Sequence, residues 1–167
     1  MVFLAEHLRH DSDDWQPLAI MGSEIPFPFE LATSSVETPW LSSGIVSTMP
    51  LLEDLGVPAR LASLSDFDGT FRGYVTDLAR EWLGSVSADE LAEVEIFSCG
   101  PTPMLRAVAA LAREFAVPCQ VSLEEFMACA VGGCAGCTVL VHTESGPAMK
   151  RVCVDGPVFD SAAVFPE

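Results

Sequence analysis

Basic residues are scarce in this sequence. Lys and Arg together number 8, against 24 Asp and Glu, which leaves a formal net charge of −16 at pH 7. A surface of that sign repels phosphate backbones and anionic headgroups, so we expect neither nucleic acid nor a membrane as a partner. The sequence also lacks any apolar run as long as a membrane-spanning helix. With 50% hydrophobic residues, it is expected to form a soluble globular protein.

Signatures of several common functions are missing as well. No G-x-G-x-x-G fingerprint occurs in the 167 residues, so glycines alone do not identify a dinucleotide site. No Ser–His–Asp or paired-carboxylate arrangement has a spacing that suggests hydrolysis. Nothing at the N-terminus resembles a signal peptide, and the cysteines are grouped as metal ligands. We therefore expect a reducing, cytoplasmic setting.

Cysteine, by contrast, is concentrated in one region. Cys129, Cys134, Cys137 and the more distant Cys153 give the spacing C-x4-C-x2-C followed by one further cysteine. This is the plant-type ferredoxin arrangement, in which four thiolates hold a 2Fe–2S cluster. Apart from Val131, the residues between the first three cysteines are Gly and Ala, which let backbone N–H groups turn toward anionic sulfur. The spacing therefore predicts a 2Fe–2S centre on these four cysteines.

Other interpretations of the cysteines remain open at this point. Four thiolates also suit a tetrahedral zinc ion, so a zinc-stabilised interaction module without redox activity is an alternative. His142 is the histidine near the cysteines and could replace a ligand as in Rieske centres, but a surface position explains it better. Cys119 stands apart from the cluster and is typical of a buried, unreactive cysteine.

Apolar spacing and turn residues predict an α/β chain. Helices are predicted over residues 1–9, 50–55, 73–83 and 104–115, and strands over 17–21, 59–64, 94–98, 138–142 and 150–154. Ser47 or Thr48 is expected to cap the second helix, and an S-x-x-E box at Ser122 and Glu125 predicts a short helix before Cys129. The last two strands should form a β-hairpin that returns Cys153 to the other ligands.

Two further segments have no regular pattern. Residues 24–47 lack periodicity, which predicts a long loop that either packs its aromatic residues on its own domain or contacts a partner. The first helix begins abruptly, with no cap and no strand before it, which indicates either an ordinary frayed first helix or a natural N-terminal part that is missing from this sequence.

The end of one predicted strand has the position that nucleotide sites occupy in parallel sheets. The strand over residues 94–98 is followed at once by Cys99, Gly100 and Pro101, and then by a helix. Open α/β sheets bind nucleotides at the edge formed by the carboxyl ends of their strands. Such a turn also occurs at many buried strand ends, so the pattern by itself leaves the site open.

Several segments together resemble a known family. They are Cys99-Gly-Pro-Thr-Pro-Met-Leu, Ser122-Leu-Glu-Glu-Phe-Met-Ala-Cys and Arg151-Val-Cys-Val-Asp-Gly-Pro-Val-Phe, with Gly73-Tyr-Val-Thr-Asp-Leu as a further match. The chain is similar to the electron-transfer subunit of the NAD-dependent, class 1B dihydroorotate dehydrogenase, within the wider ferredoxin-reductase-like family.

The resemblance implies a fold and a set of sites. It implies a Rossmann-like, NAD-binding α/β lobe over residues 1–118, incomplete at its N-terminus, and a small 2Fe–2S domain with a β-hairpin over residues 119–167. The four clustered cysteines would be the cluster ligands, and Cys99, Gly100 and Pro101 the turn beside the nicotinamide. The family's FAD-binding β-barrel and glycine-rich loop are not found in these residues. FAD is thus expected from a missing N-terminal part or from a separate FAD-binding chain.

The resemblance also implies a function. The chain would relay electrons from FMN in a catalytic subunit, where dihydroorotate is oxidised to orotate, through its cluster to FAD and then NAD, in pyrimidine biosynthesis. It would be an electron-transfer subunit and not an enzyme alone. The related alternative is a flavin-reductase-like subunit of another cytoplasmic oxidoreductase, such as a hydrogenase. Ala130 departs from the family, which usually has glycine after its first ligand.

Overall fold

The structure is a computed structural model that describes residues 2–11, 15–42 and 44–166. The chain divides into two compact units, Met1–Val86 and Ser87–Glu167. Both combine helices with small β-sheets, which confirms the predicted α/β class. The predicted functional boundary at residue 118 lies inside the second unit and stays a prediction. None of the helices described is long and apolar enough to cross a membrane.

The first unit is built on a parallel sheet of three strands. Its elements are α1 (Val2–Asp11), β1 (Ala19–Gly22), β2 (Ala32–Thr33), β3 (Ser47–Thr48), α2 (Pro50–Asp54), β4 (Ala59–Ser63), β5 (Phe71–Arg72) and α3 (Val75–Ser85). The strand order is β1-β4-β5, and both pairings are parallel. The central strand β4 is buried along its whole length, and Leu52 of α2 packs with Val57 and Ala59 in the core of this unit.

The long loop of the first unit differs in part from its prediction. Its residues 32–33 form β2, which pairs antiparallel with β3. Ser47 and Thr48, predicted to cap α2, instead form that partner strand, and Met49 is the N-cap residue. The Ser47 hydroxyl donates to the Asp68 carbonyl at 2.8 Å, so it is engaged away from the helix. The loop packs an aromatic residue within its own unit, which is one of the two predicted alternatives, with the Phe27 ring centroid 6.0 Å from that of Phe67.

The second unit places one long helix against a mixed sheet. Its elements are α4 (Ala88–Leu91), β6 (Ile96–Cys99), α5 (Thr102–Phe115), β7 (Cys119–Ser122), β8 (Thr138–Thr143), β9 (Gly146–Arg151), α6 (Val152–Asp155), β10 (Val158–Asp160) and α7 (Ser161–Val164). The sheet has the order β10-β7-β6, with β6 parallel and β10 antiparallel to β7. Leu105 and Val108 of α5 share one hydrophobic core with Val121 of β7.

The strands β8 and β9 pair antiparallel from Thr138–Arg151 to Thr143–Gly146. The second strand ends earlier than the predicted range of 150–154, and Cys153 lies on the short helix α6. The predicted placement of Cys153 on a strand is therefore wrong. The cause is local: the Asp155 carboxylate of α6 accepts the backbone N–H of its N-cap residue, Arg151, at 2.7 Å, which stabilises the first turn of a helix.

The short helix predicted from Ser122 and Glu125 does not form. Ser122 belongs to β7 and pairs with Val158 of β10, and residues 123–127 have no regular secondary structure. The next backbone N–H, of Leu123, donates to the Pro157 carbonyl at 2.9 Å. The pairing of Ser122 with β10, which lies much later in the chain, thus overrides the local capping signal. Patterns within a few residues carry no information about such a long-range pairing.

Candidate metal centre

The first three clustered cysteines lie on a strongly wound loop between β7 and β8. Ala130, Gly132 and Ala135 all have positive φ, of 54°, 74° and 56°. Left-handed residues spaced this closely wind the chain back on itself and turn successive backbone N–H groups to one side, which makes a concavity for an anion. We refer to residues 129–137 as the ligand loop.

Within the ligand loop, Cys129 and Cys134 form a pair. The backbone N–H groups of Val131 and Cys134, the Cys134 thiol and the N–H of Gly133 all donate toward the Cys129 sulfur. These donors lower the pKa of Cys129 to about 6. The backbone N–H of Gly136 donates to the Cys134 Sγ at 3.3 Å. The loop therefore favours the thiolate, which is the form that binds iron or zinc.

Cys137 and Cys153 form the second pair, with their Sγ atoms 3.2 Å apart. Cys137 directly precedes β8 and Cys153 follows β9, and the N–H of Val152 donates to the Cys137 carbonyl at 3.0 Å. The pKa of Cys137 is lowered, chiefly because the backbone N–H of Cys153 donates to its sulfur. The pKa of Cys153 is raised, chiefly by the hydrogen bond between its thiol and that of Cys137. Closure of the hairpin thus brings two cysteines together that are distant in sequence.

The four thiols span the boundary between core and solvent. Cys137 is only 3% exposed and belongs to the hydrophobic core of the second unit. Cys129 and Cys153 are half-buried, and Cys134 is exposed. A group held by all four would have one side embedded in the protein and the other near the surface.

The arrangement fits a two-iron cluster better than a single ion. Among the residues that the structure describes, no three His, Cys, Asp or Glu side chains form a group that could hold one metal ion. The cysteines come instead as two pairs. A 2Fe–2S cluster distributes its thiolates over two irons, whereas structural zinc needs all four around one ion. Backbone N–H groups aimed at sulfur are also what an anionic cluster requires.

Arg151, which sequence analysis did not single out for a role, ties the ligand loop to the hairpin. Its Nη1 donates to the Gly132 carbonyl at 2.7 Å, and its Nε lies 3.8 Å from Asp155 Oδ2. The guanidinium also places a positive charge against the ligand loop, where it would favour anionic sulfur. A signal was present in the sequence, because Lys150 and Arg151 are the only Lys or Arg residues between Cys129 and Cys153.

Exposed apolar side chains lie in and next to the ligand loop. Phe126 is 93% exposed, Val131 85%, Met127 54% and Val154 52%. Val154 packs against the loop, since its Cγ2 lies 2.5 Å from the position that a Cβ on Gly132 would occupy. We call these four side chains the apolar rim. All four lie close in sequence to Cys129 or Cys153.

The predicted nucleotide turn starts from the same sheet edge as the ligand loop. Cys99 ends β6, Pro101 is the N-cap residue of α5, and Cys99 lies opposite Ser122 in the parallel β6–β7 pairing. Gly100 has φ of 152°, and a Cβ there would lie 2.6 Å from Met104 Cε. A side chain at Gly100 would therefore need a backbone conformation that other residues rarely adopt and a shift of the end of the Met104 side chain.

The remaining cysteine and histidine candidates lie apart from the four thiols. Cys119 is 5% exposed in the core, and burial raises the pKa of its thiol, which suits an unreactive role. His142 is exposed on β8, opposite Pro147 and near the hairpin turn, whereas the thiols lie at the other end of the hairpin. The structure therefore places His142 on the surface, as predicted.

Comparison with known proteins finds similarity to electron-transfer proteins. Residues 124–165 match the family model for the iron–sulfur cluster binding domain of dihydroorotate dehydrogenase B. The "Dihydroorotate dehydrogenase B (NAD(+)), electron transfer subunit" of Caldanaerobacter subterraneus subsp. tengcongensis is 43% identical over 88 residues, which is 53% of this chain and 33% of the relative. The subunit of the same name from Shouchella clausii is 42% identical over 96 residues, or 55% and 33%. The chain thus spans about a third of the length of these relatives.

A solved structure supports the same relationship. This chain matches a chain from the NADH-dependent reduced ferredoxin-NADP oxidoreductase structure, reported for flavin-based electron bifurcation, with a TM-score of 0.53 and 26% identity. The match covers 71% of this chain and 39% of that one. The resemblance seen in the sequence is confirmed: residues 124–165 match the iron–sulfur cluster binding domain of dihydroorotate dehydrogenase B, and the chain is similar to electron-transfer subunits of that enzyme.

Proposed function

We propose that this chain is an iron–sulfur electron-transfer subunit. It relays electrons between an FMN-containing dihydroorotate dehydrogenase subunit and FAD and NAD, in cytoplasmic pyrimidine biosynthesis. The observation that carries the proposal is the meeting of three thiols on the ligand loop, whose N–H groups face sulfur, with the Cys153 thiol of α6, so that the four thiols form two pairs. This set lies within the segment that matches the cluster-binding family.

Cys129, Cys134, Cys137 and Cys153 are the proposed ligands of a 2Fe–2S cluster. The first pair would bind one iron and the second pair the other. When bound, the cluster accepts and donates a single electron. The chain tunes that chemistry through N–H donors at Cys129, the charge of Arg151 and the burial of Cys137, because hydrogen bonds and solvent exposure set the potentials of such centres.

The apolar rim is the proposed docking surface for the FMN-containing subunit. Electrons pass efficiently only between centres that lie close together, so a partner must cover the exposed side of the site at Cys134. Phe126 and Val131 are the most exposed members of the rim and lie in sequence on either side of Cys129. Large side chains that become buried near the centre of an interface contribute much of its binding free energy, and Phe126 is the aromatic member of the rim.

Residues 1–118 are the proposed Rossmann-like, NAD-binding lobe, and residues 119–167 are the proposed cluster domain. Cys99, Gly100 and Pro101 would form the turn beside the nicotinamide. Two observations support this: the position of the turn at the carboxyl end of a parallel strand pair, and the similarity to the ferredoxin-NADP oxidoreductase structure. FAD would be bound by a further segment of the protein or by a separate chain.

Replacement of one ligand tests the relay. In the complex reconstituted with the FMN-containing subunit, Cys134→Ser should remove the cluster and uncouple NAD reduction from dihydroorotate oxidation. Cys119→Ser is the matched control, because it removes a core thiol and leaves the four ligands intact. If Cys134→Ser reduces NAD at the rate of the unmodified complex, the relay role is wrong. Co-purification with a nickel or iron hydrogenase would instead favour the related oxidoreductase.

A further inference from the structure

We propose that two of the four cysteines, Cys137 and Cys153, act as a reversible thiol–disulfide switch. When the iron–sulfur centre is lost, Cys137 and Cys153 join in a disulfide that prevents the centre from being rebuilt until the bond is reduced. The inference rests on the proposed function only for the role of these two cysteines as ligands. The formation of the bond follows from the geometry of the thiols themselves.

The two thiols are held together by the backbone. Their Sγ atoms lie 3.2 Å apart, and a disulfide would bring them about 1.2 Å closer. The hairpin closes directly beside them, with Thr138 opposite Arg151 and the Val152 N–H donating to the Cys137 carbonyl. The Val152 side chain is fully buried, at 0% exposure. The contact between the thiols therefore persists when no metal holds them.

The other pair is less firmly held. Cys129 and Cys134 lie on the ligand loop, where Ala130 and Ala135 occupy left-handed conformations that cost about 1 kcal/mol or more each for residues other than glycine. No strand pairing fixes residues 129–136. Loss of a bound centre would let this loop relax, whereas the hairpin keeps its own ladder of hydrogen bonds. Cys137 and Cys153 are for this reason the pair expected to join first.

The chemistry balances with a peroxide as the oxidant. One thiolate attacks hydrogen peroxide, breaks the O–O bond and becomes a sulfenic acid, and the displaced oxygen leaves as water. The second thiol then attacks the sulfenic sulfur, forms the S–S bond and releases a second water. Two thiols and one peroxide thus give one disulfide and two waters. A dithiol reductant reverses the reaction by thiol–disulfide exchange.

The experiment uses the full chain after a chelator has removed its metal under anaerobic conditions. One equivalent of hydrogen peroxide is added, free thiols are counted, and unreduced peptides are mapped by mass spectrometry. We expect the count to fall from the 6 cysteines of the sequence by two, with Cys137 and Cys153 in one linked peptide. Reloading with ferrous iron and sulfide should then fail without dithiothreitol and recover with it.

Two variants serve as controls. Cys119→Ser should lose two thiols to the same linkage and show the same dependence on dithiothreitol. Cys153→Ser should lack that linkage. A first linkage of Cys134 to Cys129 or to Cys137, or oxidised protein that reloads without reductant, would overturn the switch. Native protein that contains zinc and no sulfide would refute the proposed function, whereas the peptide map of the metal-free chain would still decide whether the bond forms.

Discussion

At the scale of single residues, the ligand loop depends on backbone conformations that glycine adopts most easily. Ala130 has φ of 54° and Ala135 has φ of 56°. Glycine adopts this left-handed conformation without penalty, whereas the Cβ of Ala130 costs about 1–2 kcal/mol there. This chain retains the conformation in spite of the cost.

Replacement of Ala130 by glycine should therefore relieve strain at the site. We predict that Ala130→Gly slows the loss of visible cluster absorbance in air. Ala116, the C-cap residue of α5, has nearly the same φ of 55° but lies outside the ligand loop. Ala116→Gly should raise the free energy of unfolding by about 1 kcal/mol and leave the rate of cluster loss unchanged. Equal effects of both variants on cluster loss would contradict a local role for Ala130.

Two adjacent glycines in the loop should respond differently to the same substitution. Gly132 has φ of 74°, and a Cβ there would lie 2.5 Å from Val154 Cγ2, whereas a Cβ on Gly133 meets nothing within 4 Å. Gly132→Ala should cost about 1–2 kcal/mol from its backbone alone and lower the yield of cluster reconstitution. Gly133→Ala should reconstitute like the unmodified chain. The yield is read from visible absorbance, and a larger loss with Gly133→Ala would refute this account of the loop.

At the scale of elements, signals that act within a few residues were predictable and long-range contacts were not. The spacing of the cysteines, the helix α5 and the strands β1 and β4 follow from local patterns in the sequence. The helix expected from Ser122 and Glu125 fails because β10 pairs with Ser122. The position of Cys153 on α6 and the contact of Arg151 with Gly132 depend on how the hairpin returns to the loop.

The long loop of the first unit is fastened at two points that sequence patterns do not indicate. The Arg60 side chain is buried, at 2% exposure, and its Nη2 donates to the Val36 carbonyl and, at 3.0 Å, to Thr38 Oγ1. The Glu53 carboxylate of α2 accepts the Ser35 N–H at 2.7 Å and the Ser34 hydroxyl at 2.9 Å. The buried charge of Arg60 in the middle of β4 is thus explained by its hydrogen bonds to the long loop, which no local pattern predicts.

The Glu53 contact should make the first unit sensitive to acid. Hydrogen bonds from the Ser35 hydroxyl and N–H lower the pKa of Glu53, so its carboxylate stabilises the fold above the ordinary glutamate range. That stabilisation is lost as the pH falls through the lowered pKa, where the carboxyl becomes protonated. Glu53→Gln should reduce the urea midpoint at about pH 7 and make little difference at about pH 3. An equal deficit at both pH values would show that the charge is not responsible.

At the scale of the whole molecule, composition and family similarity carry different information. The net charge of −16 and the low number of basic residues indicate which partners the chain can bind. They favour binding to a protein over binding to nucleic acid. The division of the chain after Val86 was not predictable, because it depends on which elements pack together and not on any change in composition. The cysteine spacing, by contrast, pointed directly to the class of metal site.

The apolar rim provides a prediction for the assembled complex. Phe126→Ser and Val131→Ser should weaken binding to the FMN-containing subunit by removing about 1–3 kcal/mol of apolar contact each. Both variants should keep their cluster absorbance, because neither residue is a proposed ligand. Leu51→Ser, which changes a side chain that is 48% exposed in the first unit, is the matched control and should bind normally. Binding affinity can be measured by calorimetry, and unchanged affinity of both rim variants would remove the rim from the interface.

The central claim is that the four cysteines hold a 2Fe–2S cluster, and one measurement tests it most directly. Anaerobically purified protein is reduced with dithionite, and its electron paramagnetic resonance spectrum is recorded together with iron and sulfide content. We predict a rhombic spin-half signal, with iron and sulfide in equal amounts, and visible absorption that bleaches on reduction. A colourless protein that contains zinc, lacks sulfide and gives no signal even after reconstitution with iron and sulfide would contradict the account.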